Sequence, residues 1–485
     1  MSITSALSSA LTGLSATSRQ AEVISSNVAN ASTPGYARRS VSLSALTLGG
    51  TGQGVAVRGI TRQIDSFLIG DRRGAQAMAS DRDVRAGFLQ KMESIVGHPD
   101  DQASLSARVA ALNQALAEAS SRPESEARLT TAVDAARLLA DGLNQASDAV
   151  QQERARTDTA IGTSVQTLNS ALVQVAELNT QIRSFSGAGR DVSALLDQRQ
   201  QIVDRISDLV PIREVSRDHD QIALMTTGGA VLLDGKPSQF GFTAVHTIVP
   251  EMTQASGGLS GLTLNGRPMA TAGETSLLLG GKLAGQFAVR DELAVSGQAR
   301  LDAMARDLVD RFSDAGLDPT LALGDAGLFT DSGGAFAPAN EVGLSARLSL
   351  NATVDPAAGG QVSRMRDGLG AATAGPPGNA ALLNALSDAM ATARPLGSSA
   401  LPPGNRSLSG LTADLLSSIS AARLNADTEG AFTAARYAAL DEMEKAGGVD
   451  TDQELQSLLV IERNFAANAK VIQTVDEMVS TLLGM

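Results

Sequence analysis

No cysteine and no tryptophan occur in the 485 residues, and aromatic residues make up only 3%. The first absence excludes disulfides and thiolate metal ligands. The others require cores built from aliphatic side chains and alanine, as in long helices packed closely side by side. No run approaches the ~20 apolar residues that a membrane span needs, so no membrane segment is expected. The first residues lack a basic start, an unbroken apolar run and a small-residue cleavage site, so no cleaved leader is expected either. The formal charge of −13 argues against a nucleic-acid surface, which needs clustered Lys and Arg.

Sites for chemistry are equally scarce. His98, His219 and His246 stand in different segments without a second ligand at metal spacing, and no His-Glu-x-x-His pattern occurs. There is no Gly-Lys-Ser/Thr phosphate loop. "GGTGQG", residues 49–54, lacks dinucleotide fingerprint spacing and reads as a flexible turn. Asp71-Arg72-Arg73 and Asp81-Arg82-Asp83 read as solvated faces of a helix. Asn351-Ala352-Thr353 matches a glycosylation acceptor by pattern only. Neither a catalytic group, a metal nor a cofactor is expected.

What is present is regular spacing at both ends of the chain. Ile3, Leu7, Ala10, Leu14, Thr17, Ala21, Ile24 and Val28 follow one another at intervals of four and three, a heptad seam about 40 Å long. The pattern stops in "SNVANASTPGYARRSVSL", residues 25–42. Asn30 is suited to a left-handed cap, Pro34 cannot continue a helix, and Pro34-Gly35 suits the centre of a type II turn. Beyond Tyr36, Val41, Leu43 and Ala45 alternate with serines, which predicts an extended segment with one apolar face. Near the other end, Leu458, Ile461, Phe465, Asn468, Ile472, Val475, Val479 and Leu482 repeat the alternation of three and four. Only Asn468 is polar, and a polar residue in a seam fixes register or oligomer state. Paired ends and two unrelated amphipathic helices satisfy this spacing equally well.

Between the ends the period is helical over 64–96 and 104–209, with a break at Pro123. "SALLDQRQQIVDRISDLVPI", residues 193–212, has one broad apolar face. From Pro211 to about Leu279, short β-branched runs separated by Gly, Asp and Pro predict a hairpin meander turning at Gly228-Gly229. Helical spacing then returns. Residues 316–405 are irregular and rich in Gly and Pro, with strand character around 343–354, and a helix follows over 407–445 up to Gly447-Gly448. The expected fold class is mainly α with β insertions, α+β and multidomain. Terminal helices (1–45 with 450–485) form a coiled-coil layer and a helical domain (46–210, 280–316 and 406–449) comes next. A β-rich insertion (211–279) and an irregular β-containing region (317–405) complete the chain.

With its N-terminal heptad helix followed by "ANASTPGYARRSV" and its C-terminal helix, the chain resembles the flagellar axial proteins. Within them, Asn30, Thr33, Pro34, Gly35, Tyr36 and Arg38 are similar to the turn of the hook-associated protein 1 family, whereas rod and hook proteins usually carry Gly-Phe there. Ser32 stands where that family usually has Asn, and Arg39 where it has Gln. Leu195-Leu196-Asp197-Gln198-Arg199 and the Arg290-Asp291 pair also resemble family segments.

The resemblance implies a structural junction subunit without enzymatic activity, forming a ring at the distal end of the hook and connecting it to the filament. Its implied partners are copies of itself, the hook protein, the next hook-associated protein, and a cytoplasmic export chaperone on the C-terminal helix. It further implies type III export without a cleaved signal to an extracellular flagellum, with terminal helices that order on assembly. The alternatives are another axial subunit, such as a hook protein, or a secreted surface-binding module. On the structural reading, motility is expected to survive deletion of 211–279.

Overall fold

A computed structural model describes residues 3–48, 51–273, 276–314 and 316–484. Gly49 and Gly50 of the expected glycine turn lie outside them. The chain opens with α1 (Ile3–Ala29), then the antiparallel hairpin β1 (Arg39–Leu48) and β2 (Thr51–Arg62). Helices α2 (Ser66–Val96), α3 (Leu105–Ser121), α4 (Glu126–Gly187) and α5 (Ser193–Leu209) follow. Side-chain oxygens cap two of their starts: Asp65 for α2 and Ser104 for α3.

The meander comprises β3 (Ile212–Ser216), β4 (Ile222–Thr226), β5 (Val231–Asp234) and β6 (Lys236–Pro237) in a four-stranded sheet. A three-stranded sheet of β7 (Phe240–Gly241), β8 (Leu262–Leu264) and β9 (Arg267–Met269) completes it. Helix α6 (Gly281–Ala288) runs through a π turn at Val289–Leu293 into α7 (Ala294–Phe312). The irregular region holds β10 (Phe329–Asp331), α8 (Leu344–Arg347), β11 (Leu348–Leu350), α9 (Arg364–Asp367), α10 (Ala381–Ala391), β12 (Arg394–Pro395) and β13 (Asn405–Arg406). The long helices α11 (Leu408–Ala446) and α12 (Thr451–Leu483) end the order.

Two aliphatic cores sit on one helix. At 1.5 Å per residue the 62 residues of α4 extend about 93 Å. Its first half, from Leu129 to Val150, builds a core with α3, α7 and the irregular region. Its second half, from Ile161 to Ile182, builds another with α5, α6 and the meander. Leu224, Leu232, Leu233, Phe240 and Leu262 of the meander belong to that second core. The segment 211–279 therefore covers helices instead of enclosing a core of its own, and removing it would open α4 and α5 to water.

With so few aromatic rings to fill irregular space, buried arginines fasten the loops. Arg154 donates to the carbonyls of Met252 (2.7 Å), Arg290 (3.1 Å) and Val249 (3.3 Å). Burial pulls its guanidinium below the ordinary arginine value. Arg290, placed by the π turn, pairs with Asp158 at 2.6 Å, both side chains fully buried. Arg311 reaches the carbonyls of Ala389 and Thr392 at 2.9 and 2.6 Å. Arg154 and Arg311 thus hold loop carbonyls, and Arg290 holds the Asp158 carboxylate.

The charge runs on α2 differ from expectation. Arg72, Arg73 and Asp81 are about 95% buried. Arg73 binds Asp204 of α5 at 2.6 Å and Glu214 of β3 at 2.8 Å, and Arg72 binds Asp204 at 2.9 Å as well as Glu444 of α11. Burial opposes the charge on Arg72, but Asp204 and Glu444 outweigh it and raise its pKa above the usual value. The run is amphipathic by charge: α2 faces α5 on one side and α11 on the other, so its cations have carboxylates to meet. Arg82–Glu429 and Arg423–Glu93 continue the antiparallel pairing of α2 with α11 at 3.0 and 2.7 Å.

Candidate functional site

The two chain ends meet outside both cores, neither of which draws a residue from α1 or α12. The helices run antiparallel: Glu454, at the start of α12, bonds Asn27, near the end of α1, while Asn468 packs over Gly13. The β1–β2 hairpin lies along another side of α1, where the Val55 N–H donates to Thr12 Oγ1 at 3.3 Å. Strand β2, which falls within the helical domain by sequence, thus sits with the terminal helices.

Between α1 and β1 the chain reverses sharply. The Tyr36 N–H donates to the Thr33 carbonyl at 3.1 Å, and Gly35 has φ +74°, as the third position of a type II turn demands. Asn30 is not left-handed. Its Nδ2 instead donates to the Ser26 carbonyl at 2.9 Å, closing the helix with a side chain, and the Thr33 N–H donates to the Asn30 carbonyl at 2.9 Å.

A fully buried amide organises this corner. Asn27 Nδ2 donates to the Arg39 carbonyl (2.9 Å) and Glu454 Oε2 (3.1 Å). Its Oδ1 accepts from the Tyr36 hydroxyl (2.9 Å) and the Arg39 N–H (3.0 Å). Glu454, 1% exposed, is neutralised by Arg38 at 2.6 Å. The Arg39 guanidinium lies 4.7 Å from the Tyr36 ring centre. It also binds Asp197 of α5 at 2.6 Å, while Arg62 of β2 binds the same carboxylate at 2.8 Å. Gln201 Nε2 completes the dock by donating to the Pro34 carbonyl at 2.6 Å. The turn residues and the Leu-Leu-Asp-Gln-Arg segment, remote in sequence, are thus one contact. A cleft of about 1150 Å³ opens beside it, lined by Pro34, Tyr36, Leu68, Arg72, Tyr437 and Glu444.

The seam residues are placed as follows. Ala10, Thr17 and Ile24 are buried, and Ile3, Leu7, Leu14, Ala21 and Val28 are half-buried. On α12, Ile461 and Val475 are buried, Leu458, Asn468 and Ile472 half-buried, and Phe465, Val479 and Leu482 exposed. Val479 and Leu482 lie toward the end of α12 that runs past Ile3. A second stripe, Val460, Val471, Met478 and Leu482, is 43–62% exposed. Spacing did not single out Asn27, Glu454, Arg39, Arg62, Asp197 or Gly13. The resemblance marks Arg39 and the segment holding Asp197, and Glu454 continues the α12 heptad one repeat before Ile461.

Among the described residues no group of three His, Cys, Asp or Glu side chains could hold a metal ion, and no helix is long and apolar enough to cross a membrane.

Comparison with known proteins fits this geometry in three pieces. Residues 89–323 match the flagellar hook-associated protein FlgK helical domain, residues 443–485 the flagellar basal body rod FlgEFG protein C-terminal model, and residues 7–36 the flagella basal body rod protein model. The two ends that match rod-protein models are also the ones that pair with each other. The match to the hook-associated helical domain spans just under half of the chain, which is similar there to flagellar hook-associated protein 1.

Flagellar hook-associated protein 1 of Salmonella typhimurium is 28% identical over 244 residues, 49% of this chain and 44% of that protein. The Bacillus subtilis protein of the same name is 28% identical over 240 residues, 47% of each. The chain spans about half the length of the curated relatives it matches. The solved flagellar hook junction protein FlgK from Burkholderia pseudomallei aligns with TM-score 0.44 and 23% identity, covering 54% of this chain and 46% of that one.

Proposed function

We propose that the chain is a structural junction subunit of the bacterial flagellum, assembling as a ring at the distal end of the hook and connecting it to the filament. The observation that carries this reading is the terminal layer. Two helices are clamped together outside both cores and leave a stripe of Val460, Val471, Met478 and Leu482 in water. Apolar residues repeated along one helix face in this way suit a neighbouring helix better than solvent. The α1 and α12 helices pack against each other within one chain, burying Ile24, Ile461 and Val475 while leaving Phe465, Val479 and Leu482 exposed. The surface offered to other subunits is this second stripe.

Neighbouring copies cover it in the ring, the hook protein and the next hook-associated protein adjoin above and below, and a cytoplasmic export chaperone shields it before export. The site of action is the extracellular flagellum, reached without a cleaved signal. The role is structural and not catalytic. Removing the gene and imaging the cells by electron microscopy tests this. The expected result is hooks of normal length without filaments, restored by the intact chain, with tagged chain at hook tips. Loss of the hook itself, or label along its whole length, would support a hook subunit instead.

A further inference from the structure

Heptad seams do not choose their own register. Because the α1 and α12 patterns both repeat every seven residues, sliding one helix by seven brings apolar residues opposite apolar residues again. We propose that two contacts outside the apolar pattern form a register lock: the Asn468 notch at Gly13, and the buried Glu454 clamp on Asn27 and Arg38. They lie fourteen residues apart on each helix, 13 to 27 on α1 and 454 to 468 on α12, so both are satisfied by a single antiparallel alignment.

The notch acts by shape. A Cβ at Gly13 would stand 2.8 Å from Asn468 Nδ2 and 2.9 Å from its Oδ1, so no larger residue can occupy that position with Asn468 where it is. Gly13 is the sole glycine of α1. A slip of one heptad sets Asn468 against Ala6 or Gln20, where side-chain atoms fill the space. The clamp acts by charge. Glu454 is 1% exposed and is tolerated there because Arg38 pairs with it at 2.6 Å and Asn27 donates to it at 3.1 Å. A slip one way carries Glu454 opposite Gln20, and the other way carries it beyond the end of α1. Either leaves a carboxylate and a guanidinium without their partners.

Arg38 follows the Pro34-Gly35 turn and Asn27 also binds Tyr36 and Arg39, so the clamp exists only when the turn is formed. The lock therefore sets α12, and with it the outward stripe, at one height relative to the hairpin. The inference does not depend on the junction reading, since it concerns pairing within one chain.

The absence of native cysteine permits a direct test in the full chain. Spin labels at Ser18→Cys and Glu477→Cys, both on exposed positions, should give one separation of about 20 Å in the native alignment at 1.5 Å rise per residue. Adding Gly13→Ala and Glu454→Gln together should produce a second population displaced by about 10 Å, one heptad, with helix content by circular dichroism unchanged. A single unshifted distance in that variant would overturn the proposal. So would a broad distribution with no displaced maximum, because the two contacts would then hold the helices together without choosing their register.

Discussion

Asn27 uses all its hydrogen-bonding capacity in the corner: two donors and two accepted bonds tie the end of α1 to Tyr36, Arg39 and Glu454. Asn27 and Glu454 are both buried, so their mutual bond has no ready replacement by water. Asn27→Ala should therefore cost on the order of 2–4 kcal/mol locally. Amide exchange in residues 27–40 and 451–460 should quicken by roughly 30-fold or more, with α4 unaffected. Asn27→Asp keeps the shape but faces Glu454 with a second carboxylate, and should be at least as damaging. Exchange rates equal to those of the parent chain in both variants would remove Asn27 from this role.

The turn itself was legible from Pro34, Gly35 and Tyr36, because backbone restrictions are local. The clamp was not, because Asn27 and Glu454 lie 427 positions apart and a polar residue in a heptad carries no label for its partner.

At the scale of elements, helix and strand placement follows from period and punctuation. The break at Pro123 falls between α3 and α4, and α2, α5 and α11 lie where spacing placed them. The left-handed cap at Asn30 and the solvated faces at Arg72, Arg73 and Asp81 failed for one reason. A side chain that can bond to backbone or to a distant carboxylate does so when packing excludes water. The π turn at Val289–Leu293 was equally hidden, being one extra residue per turn in an ordinary helical pattern.

It matters because it delivers Arg290 to Asp158 between the two cores, beside Arg154. Arg154→Ala should free the carbonyls of Val249 and Met252 while leaving α4 helical. Limited proteolysis should then cut between residues 245 and 260 at least tenfold faster than in the parent chain, since cleavage follows the population of the open loop. An unchanged cleavage pattern would show that the loop is held by other contacts.

For the whole molecule, the nesting of outer ends around a helical middle was readable, but the sharing of cores was not. Alternating runs in 211–279 look alike whether they enclose their own core or cover α4 and α5. Because Leu224, Leu232, Leu233, Phe240 and Leu262 do the latter, deleting 211–279 should lower solubility and helix content, contrary to the expectation of a dispensable insertion. Circular dichroism and light scattering of the deletion chain check this. A soluble protein with helix content undiminished per remaining residue would contradict it.

The outward face of α12 is the surface proposed to meet other subunits. Val471→Glu with Met478→Glu alters that face while leaving Ile461, Val475 and the clamp in place. The decisive measurement is incorporation of this variant into flagella, scored by electron microscopy in cells lacking the parent gene, with its terminal-layer exchange rates measured in parallel. The prediction is native-like protection of α1 and α12 in the isolated chain together with hooks that bear no filament. Normal filaments on those hooks would show that assembly does not use this face.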